Sequence, residues 1–514
     1  MTSPVELVRR SLAAESGRVF DERVETQATY LRERLAAGDL ETEDFAIGLE
    51  MEVYAVSTDG SAPRLRKVPD AVYGASERVS KELGLHNAEV NTEPVALRPS
   101  GFESQRIGIE TALEAAGDAL GTDAGFALDA MWTVPTEGGS EPYLSAHEIQ
   151  DGVTLARNMR ADPRYYAIDN EVLRLVDGTV PLAVPGTSRT FPTILFESLA
   201  TSMQPHLQIP DIETVPSYFN AAIRTLGPLL ALAANSPFLP PDLYEDVADP
   251  TALVTETPHE LRVPVFEQSV NYTGDPKVRV PADIERTADV IEQIAVDDRY
   301  APFLSEWLDD ESEAGTEAFA DAFPEFEHKR GTYWRWVRAV IGGDPVPDAG
   351  DERSIRIEYR PLPTQPTVRD VIGLQALTAG LLRGLVASEH PIAELPAEAA
   401  RESFYAAVDD GPDADLDWIR VDGTRTSDAE EIFGEVFEYA RRGLREQGFT
   451  DGRIDELLGP IEARWEERTT PSQWKKDRVR EHLDDGDDLA TAIHTMQREY
   501  VTRSRDTETF AEWR

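Results

Sequence analysis

Carboxylate and amide side chains alternate with apolar ones in short segments of this sequence. In residues 45–56, Glu50 and Glu52 lie two positions apart with an apolar residue on each side. Glu89 and Asn91 repeat the pattern downstream. Because side chains at i and i+2 share one face of a strand, roughly 7 Å apart, each pair can serve one metal cluster. These segments predict strands whose polar face carries metal ligands.

Two later segments extend the pattern with other side-chain types. Gln204 and His206 share one face of a predicted strand over residues 203–209, and Glu358 and Arg360 share a face near residues 355–360. Carboxylate and amide oxygens suit Mg²⁺, and arginine pairs with phosphoryl groups. Each segment alone fits a half-buried strand with a solvated polar face. Their combination favours one concave sheet that gathers these groups into a cup.

The charge balance excludes several classes of partner. Lys and Arg number 50 against 96 Asp and Glu, a net charge of -46, with only six lysines. Such a field repels nucleic-acid backbones and anionic lipid surfaces. Acid excess with little lysine predicts a halophilic protein, since the Debye length is about 3 Å at 1 M salt. Most of the acidic residues are therefore expected to form a solvated shell.

The absence of cysteine and of several known motifs limits the kinds of active site that this sequence can form. The sequence has no cysteine, which leaves oxygen and nitrogen atoms as metal ligands. No phosphate-binding loop, dinucleotide fingerprint, zinc-protease helix or nucleophile elbow is present. The first residues include Glu6 and Arg9, and the longest apolar stretch, residues 226–239, is interrupted by prolines. These features predict a cytoplasmic protein without a membrane partner.

Periodicity predicts an α+β protein in three regions. An N-terminal helical segment occupies residues 1–40, a catalytic domain residues 41–395, and a helical region packed on it residues 396–514. The last helix of the catalytic domain is expected to be capped by Thr364. The predicted helices cover residues 4–38 (two helices), 102–120, 213–234, 282–296, 366–387, 427–448, 451–467, 471–484 and 487–502.

The segments resemble, in order and approximate spacing, the glutamate-cysteine ligase family of the second type, the carboxylate-amine ligases. The likeness spans about residues 45–390 and continues faintly into the helical tail. Each motif is weak alone, and the ordered set carries the resemblance. The matching elements are Gly48-Glu50-Glu52, Glu89-Asn91-Thr92, Arg164-Tyr165, the strand around Gln204 and His206, Asn235-Ser236-Pro237, residues 262–268, and Glu358-Arg360 with Thr364 to Pro366.

The resemblance implies a glutamine-synthetase-like fold, a curved mixed or antiparallel sheet backed by helices. It also implies ATP as co-substrate, two or more Mg²⁺ ions, and activation of the glutamate side-chain carboxylate as an acyl phosphate that an amine attacks. Carried onto this sequence, it assigns catalysis to Glu358 and Arg360. It assigns metal binding to Glu50, Glu52, Glu89, Gln204, His206 and Glu358. It assigns substrate or ATP binding to Asn91, Thr92, Arg164, Tyr165, Arg262 and Thr364.

Departures from the family pattern leave the acceptor open. Many members carry two histidines where this chain has Gln204 and His206, so glutamate as donor is better supported than cysteine as acceptor. The predicted partners are small molecules, namely ATP, glutamate and an amine such as cysteine, with a homo-oligomer possible. Two alternatives remain: a non-catalytic ATP or amino-acid sensor on the same scaffold, and a metal-dependent amide hydrolase.

Overall fold

The computed structural model describes residues 2–58, 63–245, 247–307 and 319–513. It confirms the predicted α+β class, with an antiparallel sheet at the centre and helices packed against it. The strands are, in chain order, β1 Ala46–Ser57, β2 Val79–Lys81, β3 Asn87–Asn91, β4 Val95–Ala96, β5 Ala124–Ala127, β6 His147–Gln150, β7 Val153–Ala156, β8 Val180–Val184, β9 Thr187–Phe191, β10 Met203–Gln208, β11 Val337–Ile341, β12 Ile355–Tyr359, β13 Trp418–Ile419 and β14 Arg425–Thr426.

The α-helices match most of the predicted ones to within a few residues. They are α1 Pro4–Ser11, α2 Ala14–Ala36, α3 Asp70–Tyr73, α4 Pro99–Leu120, α5 Ser140–Ser145, α6 Pro163–Leu175, α7 Val215–Ala233, α8 Pro250–Glu256, α9 Arg262–Val270, α10 Ala288–Val296, α11 Pro324–Arg330, α12 Val368–Ala387, α13 Ala397–Asp410, α14 Ala429–Glu446, α15 Asp451–Glu466, α16 Pro471–Asp484 and α17 Leu489–Asp506.

The central sheet runs in the order β11-β12-β10-β1-β3-β2, and every pairing is antiparallel. Strands β4 and β5 also pair with β1. All four predicted strands are present and lie side by side. Strand β11 was not predicted, because Arg338 interrupts a short segment that is otherwise apolar and buried, which leaves no clear alternation.

Helix α12 covers the apolar face of the sheet. It is long and apolar enough to cross a membrane, but 83% of its most apolar window is buried inside the protein. The predicted cap is wrong: Thr367 accepts a hydrogen bond from the Asp370 amide and begins the helix. Thr364 lies three residues earlier and bonds to the sheet instead. The helix therefore acts as the core layer that supports the site from behind.

The C-terminal helices pack against α12 and reach the sheet. The backbones of α12 and α14 approach so closely that a Cβ on Gly384 would lie 1.9 Å from the Tyr439 carbonyl oxygen. From α16, Lys475 donates to Asp129, and from α17, Gln497 donates to Tyr54 of β1 at 2.9 Å. Sequence periodicity missed α13 and the β13–β14 hairpin.

Candidate active site

The polar face of the central sheet brings the predicted residues together. Across the β1–β3 pairing, Glu52 lies opposite Glu89. Across the pairing of β1 with β10, Glu50 lies opposite Gln204. His206 lies opposite Glu358 across β10 and β12. The antiparallel register thus converts spacing along four segments into one contiguous surface of ligand-type side chains.

Two cavities open on this face, and Glu50 lines both. The first, here called the arginine-lined cavity, has a volume of 280 Å³. The second, here called the Asn91 cavity, also has a volume of 280 Å³ and is lined by Gly48, Asn91, Thr92, His206 and Arg356, among others. The charged residues that line the arginine-lined cavity are five glutamates, Glu50, Glu52, Glu82, Glu89 and Glu197, and five arginines, Arg164, Arg262, Arg330, Arg338 and Arg360.

Three carboxylates, Glu52, Glu82 and Glu89, form one compact group, here called the Glu52 group. Each contributes an oxygen, and these oxygens lie within 4.8 Å of one another. The Ser202 amide donates to Glu52 at 2.7 Å, and the Asn91 side chain donates to Glu89 at 2.8 Å. Among the described residues, no lysine or arginine forms an ion pair with any member of the group. Three acids thus share one space without a protein cation.

Burial dominates the electrostatics of the Glu52 group. Burial, together with Glu197 and Glu89, raises the pKa of Glu52 to about 8. Burial and the neighbouring carboxylates likewise raise the pKa of Glu82 and of Glu89 to about 8. Desolvation and like charges both disfavour the ionised form. A bound cation would therefore favour the ionised form of the group near neutral pH.

Glu50, His206 and Glu358 form a second compact group, here called the Glu358 group, whose ligand atoms also lie within 4.8 Å of one another. Burial alone would raise the pKa of Glu358, but Arg338 and Arg360 hold it well below its ordinary value. The Arg338 Nε donates to Glu358 at 2.7 Å, and Arg360 forms a second ion pair with it. Protein cations therefore already compensate this group.

The contacts of His206 indicate which of its ring nitrogens carries the proton. The Nε of Arg356 donates to His206 Nδ1 at 3.0 Å, so the proton of a neutral ring lies on Nε2. That nitrogen is buried, lies 3.4 Å from a Glu50 oxygen, and has no lone pair to offer a metal in this tautomer. In this arrangement His206 contacts Glu50, and its predicted role as a metal ligand stays a prediction, since one of its ring nitrogens lies within 4.8 Å of a Glu50 oxygen and a Glu358 oxygen. Gln204 keeps its carbonyl oxygen on the same face, where it accepts from Arg360 at 2.5 Å.

Most arginines of the cavity are held by protein carboxylates. Arg262 pairs with Glu260 at 3.1 Å, and Arg330 with Glu327 at 2.7 Å. Arg164 differs, because it forms no ion pair with any described residue and its buried Nε has no hydrogen-bond partner. Burial lowers its pKa. Arg164 thus keeps a guanidinium free to bind an anion.

Gly331 lies close to this guanidinium. A Cβ at Gly331 would lie 1.9 Å from Arg164 Nη2, so a larger residue there would require the guanidinium to shift. Tyr165 follows Arg164 on α6 and also lines the cavity. The carboxyl of Glu82 and burial both raise the pKa of Tyr165, so its hydroxyl stays protonated. The Arg-Tyr pair singled out in the sequence therefore lies at the cavity wall.

Two residues predicted to contact substrate also support the strands. Thr92 accepts a hydrogen bond from the Leu49 amide at 2.8 Å. Thr364 is fully buried, lines neither cavity on this face, and donates to the Glu52 carbonyl oxygen at 2.8 Å. The structure thus places Thr364 behind the strand that carries Glu52, and its predicted contact with a ligand stays a prediction.

The sequence analysis missed four charged residues of the cavity. Glu82 follows β2 in a loop, and Glu197 lies in the 3₁₀ helix Ile194–Leu199, so neither belongs to an alternating pattern. Arg330 ends α11. Arg338 was the one detectable case, since a single charge inside an apolar strand signals a buried partner, here Glu358. Tertiary structure alone brings the other three to the site.

Comparison with solved structures supports the fold. The chain is similar to a glutamate-cysteine ligase from Francisella tularensis in complex with AMP, with a TM-score of 0.52 and 13% identity over 91% of this chain and 90% of that chain. A bifunctional glutathione synthetase from Pasteurella multocida aligns with a TM-score of 0.49 and 13% identity over 90% of this chain and 53% of that one, so the chain spans about half its length. No curated protein sequence matches significantly.

The sequence itself provides the family assignment. The model of glutamate-cysteine ligase family 2 matches residues 46–506, which include the central sheet and most of the C-terminal helices. The fold is the expected glutamine-synthetase-like arrangement of an antiparallel sheet backed by helices. The match covers both residue groups on the polar face. The chain belongs to glutamate-cysteine ligase family 2.

Proposed function

We propose that this protein is an ATP- and Mg²⁺-dependent carboxylate-amine ligase that joins the side-chain carboxylate of glutamate to an amine. The observation that carries the proposal is the Glu52 group, three carboxylates without a protein cation, in a cavity that also holds five arginines. A carboxylate cluster suits a cation, and arginines suit carboxylate and phosphoryl groups. Membership of a ligase family agrees with this chemistry.

The donor atoms of the Glu52 group fit Mg²⁺. They are carboxylate oxygens within 4.8 Å of one another, and no described lysine or arginine competes for them. Hard oxygen ligands with room for water are what Mg²⁺ prefers. Glu52, Glu82 and Glu89 would hold one ion. Glu50 and Gln204 would contribute to a second, with Glu358 fixed by its arginines beside them.

Bound Mg²⁺ would neutralise the phosphate charges of ATP as the phosphoryl group is transferred. In the first step an oxygen of the glutamate side-chain carboxylate bonds to the γ-phosphorus, and the bond from that phosphorus to ADP breaks. In the second step the amine nitrogen bonds to the acyl carbon, phosphate leaves with the carbon–oxygen bond electrons, and the amine proton passes to water. The charge that develops on the phosphoryl oxygens requires fixed cations.

Arg360 is the proposed cation for the transferred phosphoryl group. Its guanidinium is oriented by Glu358 and by Gln204, whose carbonyl oxygen accepts at 2.5 Å. A guanidinium that is already held in one orientation loses little entropy when it binds an oxyanion. We therefore assign Glu358 the role of positioning Arg360. Arg262 lines the same cavity and extends its positive surface.

The two cavities offer separate places for the two larger substrates. We assign glutamate to the arginine-lined cavity, where Arg164 can bind its α-carboxylate, and the nucleotide to the Asn91 cavity. Glu50 lines both cavities, so the reacting groups would meet beside it. Amides and backbone groups such as those near Asn91 and Gly48 suit a neutral base and sugar better than a free carboxylate.

The three sequence regions would act as one catalytic unit. Asn235 donates both to the Thr364 carbonyl oxygen and to the Tyr500 hydroxyl, each at 2.8 Å, which links α17 to the residue that supports Glu52. From the N-terminal helices, Arg23 of α2 pairs with Glu325 of α11 at 2.7 Å. We infer that residues 1–40 and 396–514 support the site. The boundaries after residues 40 and 395 stay predictions.

A trapping assay tests the proposed reaction without knowing the acceptor. Hydroxylamine captures an acyl phosphate as a hydroxamate, so purified protein with ATP, Mg²⁺ and glutamate should form one. Hydroxamate should form only when ATP, Mg²⁺ and glutamate are all present, and the assay is run both at low salt and in molar salt. A panel of amines that includes cysteine then identifies the acceptor from amine-dependent phosphate release.

Other outcomes of the same assay would support the alternatives. ATP binding without hydroxamate or phosphate release would favour a sensor on this scaffold. Cleavage of γ-glutamyl amides without ATP would favour an amide hydrolase. An absence of glutamate-dependent turnover with hydroxylamine and every amine tested, in protein that is folded, would refute the ligase proposal.

A further inference from the structure

Among the described residues, Glu197 is the one cavity-lining glutamate whose side chain has neither a hydrogen bond nor an ion pair. Glu52, Glu82 and Glu89 accept hydrogen bonds, and Glu50 contacts His206. Glu197 lines the same cavity, yet no described residue donates to its side chain or pairs with it. Among the arginines of that cavity, Arg164 is unpaired in the same sense. Among the described residues that line this cavity, the Glu197 carboxylate and the Arg164 guanidinium are therefore the two charged groups with neither a hydrogen bond nor an ion pair.

The backbone around Glu197 is held rigidly. The Ile194 amide donates to Asp169 at 2.9 Å at the start of the 3₁₀ helix. Beyond Glu197, the Ser198 carbonyl oxygen accepts from His86 Nε2 at 2.9 Å and from the Trp132 indole at 3.2 Å. Burial lowers the pKa of His86 to about 4, so the ring stays neutral and this bond persists. A rigid support for an unpaired side chain is typical of a preorganised ligand-binding group.

The charge balance indicates what Glu197 binds. Mg²⁺ would compensate the Glu52 group, and Arg338, Arg360 and His206 act on the Glu358 group. Arg360 and Arg262 also act on Glu197, but among the described residues neither forms an ion pair with it. Burial and nearby Glu82 raise its pKa to about 8, which shows how costly its bare charge is. A substrate that brings a positive group removes this cost.

The geometry points to Glu197 as the carboxylate that binds a primary ammonium group of a substrate, together with Arg164, which binds a substrate carboxylate. This inference rests on the proposed ligase function. An α-amino acid carries both groups on one carbon, so the unpaired cation and anion of the cavity match its zwitterion. The ammonium group can belong to the donor glutamate or to an amino-acid acceptor, and the test separates these two sources.

The experiment removes the charge of Glu197 and the ammonium group of the substrate in turn. Glu197→Gln and wild type are compared in the hydroxamate assay with L-glutamate and with glutarate, which lacks the ammonium group. If the donor supplies the ammonium, Glu197→Gln raises the KM of glutamate about tenfold to a hundredfold and leaves glutarate unchanged, as expected for loss of a charged hydrogen bond. Calorimetric titration with both compounds reads the same preference without turnover.

The acceptor arm uses the amino acid that supports wild-type turnover best. If the acceptor supplies the ammonium, Glu197→Gln leaves the hydroxamate reaction intact, because hydroxylamine is small and uncharged, and raises the KM of that amino acid by a similar factor. Unchanged glutamate affinity together with unchanged acceptor KM, both within twofold, would overturn the inference. A wild type without hydroxamate formation refutes the ligase proposal instead, and the calorimetric comparison still decides the role of Glu197.

Two further variants control for folding and charge. Glu197→Asp keeps the charge on a shorter side chain and should recover part of the affinity. Glu171→Gln removes another carboxylate whose pKa is raised by burial but which does not line the cavity. It should leave the preference for glutamate over glutarate unchanged. Thermal unfolding of each variant confirms that it is folded.

Discussion

The Glu52 group and the Glu358 group lie on the same sheet face, have similar dimensions, and differ in how their charge is balanced. In the Glu52 group, burial and like charges raise the pKa of each member to about 8. In the Glu358 group, two arginines hold the pKa of Glu358 well below its ordinary value. The first group needs a cation from outside the protein, whereas the second contains its own.

The difference follows from the strands next to each group. Strand β11 places Arg338 directly opposite Glu358, and Arg360 follows β12 on the same face. On the other side, β2 places Ser80 opposite Glu89. A hydroxyl donates a hydrogen bond but brings no charge. The same alternating pattern therefore yields carboxylates without a protein cation at one end of the sheet and a carboxylate paired with two arginines at the other.

The largest effect on stability is expected when the Glu358 group loses the carboxylate of Glu358. Glu358→Gln leaves Arg338 and Arg360 buried without their carboxylate, and loss of one partner of a buried pair costs about 3–5 kcal/mol. We expect the free energy of unfolding, measured by denaturant titration, to fall by that amount. The double variant Glu358→Gln with Arg338→Met should recover part of the loss. Wild-type stability in Glu358→Gln would contradict the contrast between the groups.

The next effect is expected on activity, when the Glu52 group loses one of its carboxylates. Glu52→Gln removes a proposed Mg²⁺ ligand but no protein ion pair, so the protein should fold with undiminished stability in chelator. Turnover should fall by more than about 100-fold, because even outer-shell partners of metal ligands typically cost 10–100-fold. Stopped hydroxamate assays and isothermal titration with Mg²⁺ measure both quantities. A variant that binds Mg²⁺ and turns over as wild type would refute the metal assignment.

A separate effect is the pH dependence of the stability of the metal-free protein. The members of the Glu52 group have pKa values near 8 in the folded state and ordinary values near 4.5 when unfolded. Between these values the folded chain holds protons that the unfolded chain has released, so stability falls as pH rises. The slope approaches about 1.4 kcal/mol per pH unit for each group still protonated. Denaturation in chelator from pH 5 to 8 measures it, and Glu52→Gln should show a shallower slope.

The smallest effect is expected at a glutamate just beyond β3, the strand that carries Glu89. Glu93 is exposed, with 76% of its side chain accessible, and pairs with Arg78 at the surface. Glu93→Gln should change stability by less than about 0.5 kcal/mol and turnover by less than twofold. It is the matched control for Glu52→Gln, since both remove one carboxylate. A large loss of turnover here would show that surface charge, not the Glu52 group, drives activity.

The halophilic and cytoplasmic predictions stay predictions of composition. A net charge of -46 indicates a solvated acidic shell, and the structure shows many acids in exposed pairs with arginine, such as Glu15 with Arg18. Such pairs contribute little at the surface and less in high salt. A comparison of the unfolding midpoint in dilute buffer and in molar salt would measure the adaptation.

The sequence by itself determined the four strands, their polar face and most of the helices. Alternation with period two is a local property. Glu50, Glu52, Glu89 and Glu358 could therefore each be placed on the polar face of its own strand before the fold was known. The family resemblance rested on the same segments. Their register across the sheet was not in the pattern, since spacing along a strand does not name the neighbouring strand.

Tertiary structure alone decided how each charge is balanced. Glu82 and Glu197 come from a loop and a short 3₁₀ helix without periodicity, and they reach the cavity through chain folding. His206 was predicted as a metal ligand because its type and spacing fit, and only the structure shows that Arg356 donates to its Nδ1 and that its Nε2 faces Glu50. Residue type and spacing select candidates for a site. Contacts between distant segments decide their protonation and partners, because electrostatics depends on distance in space and on burial.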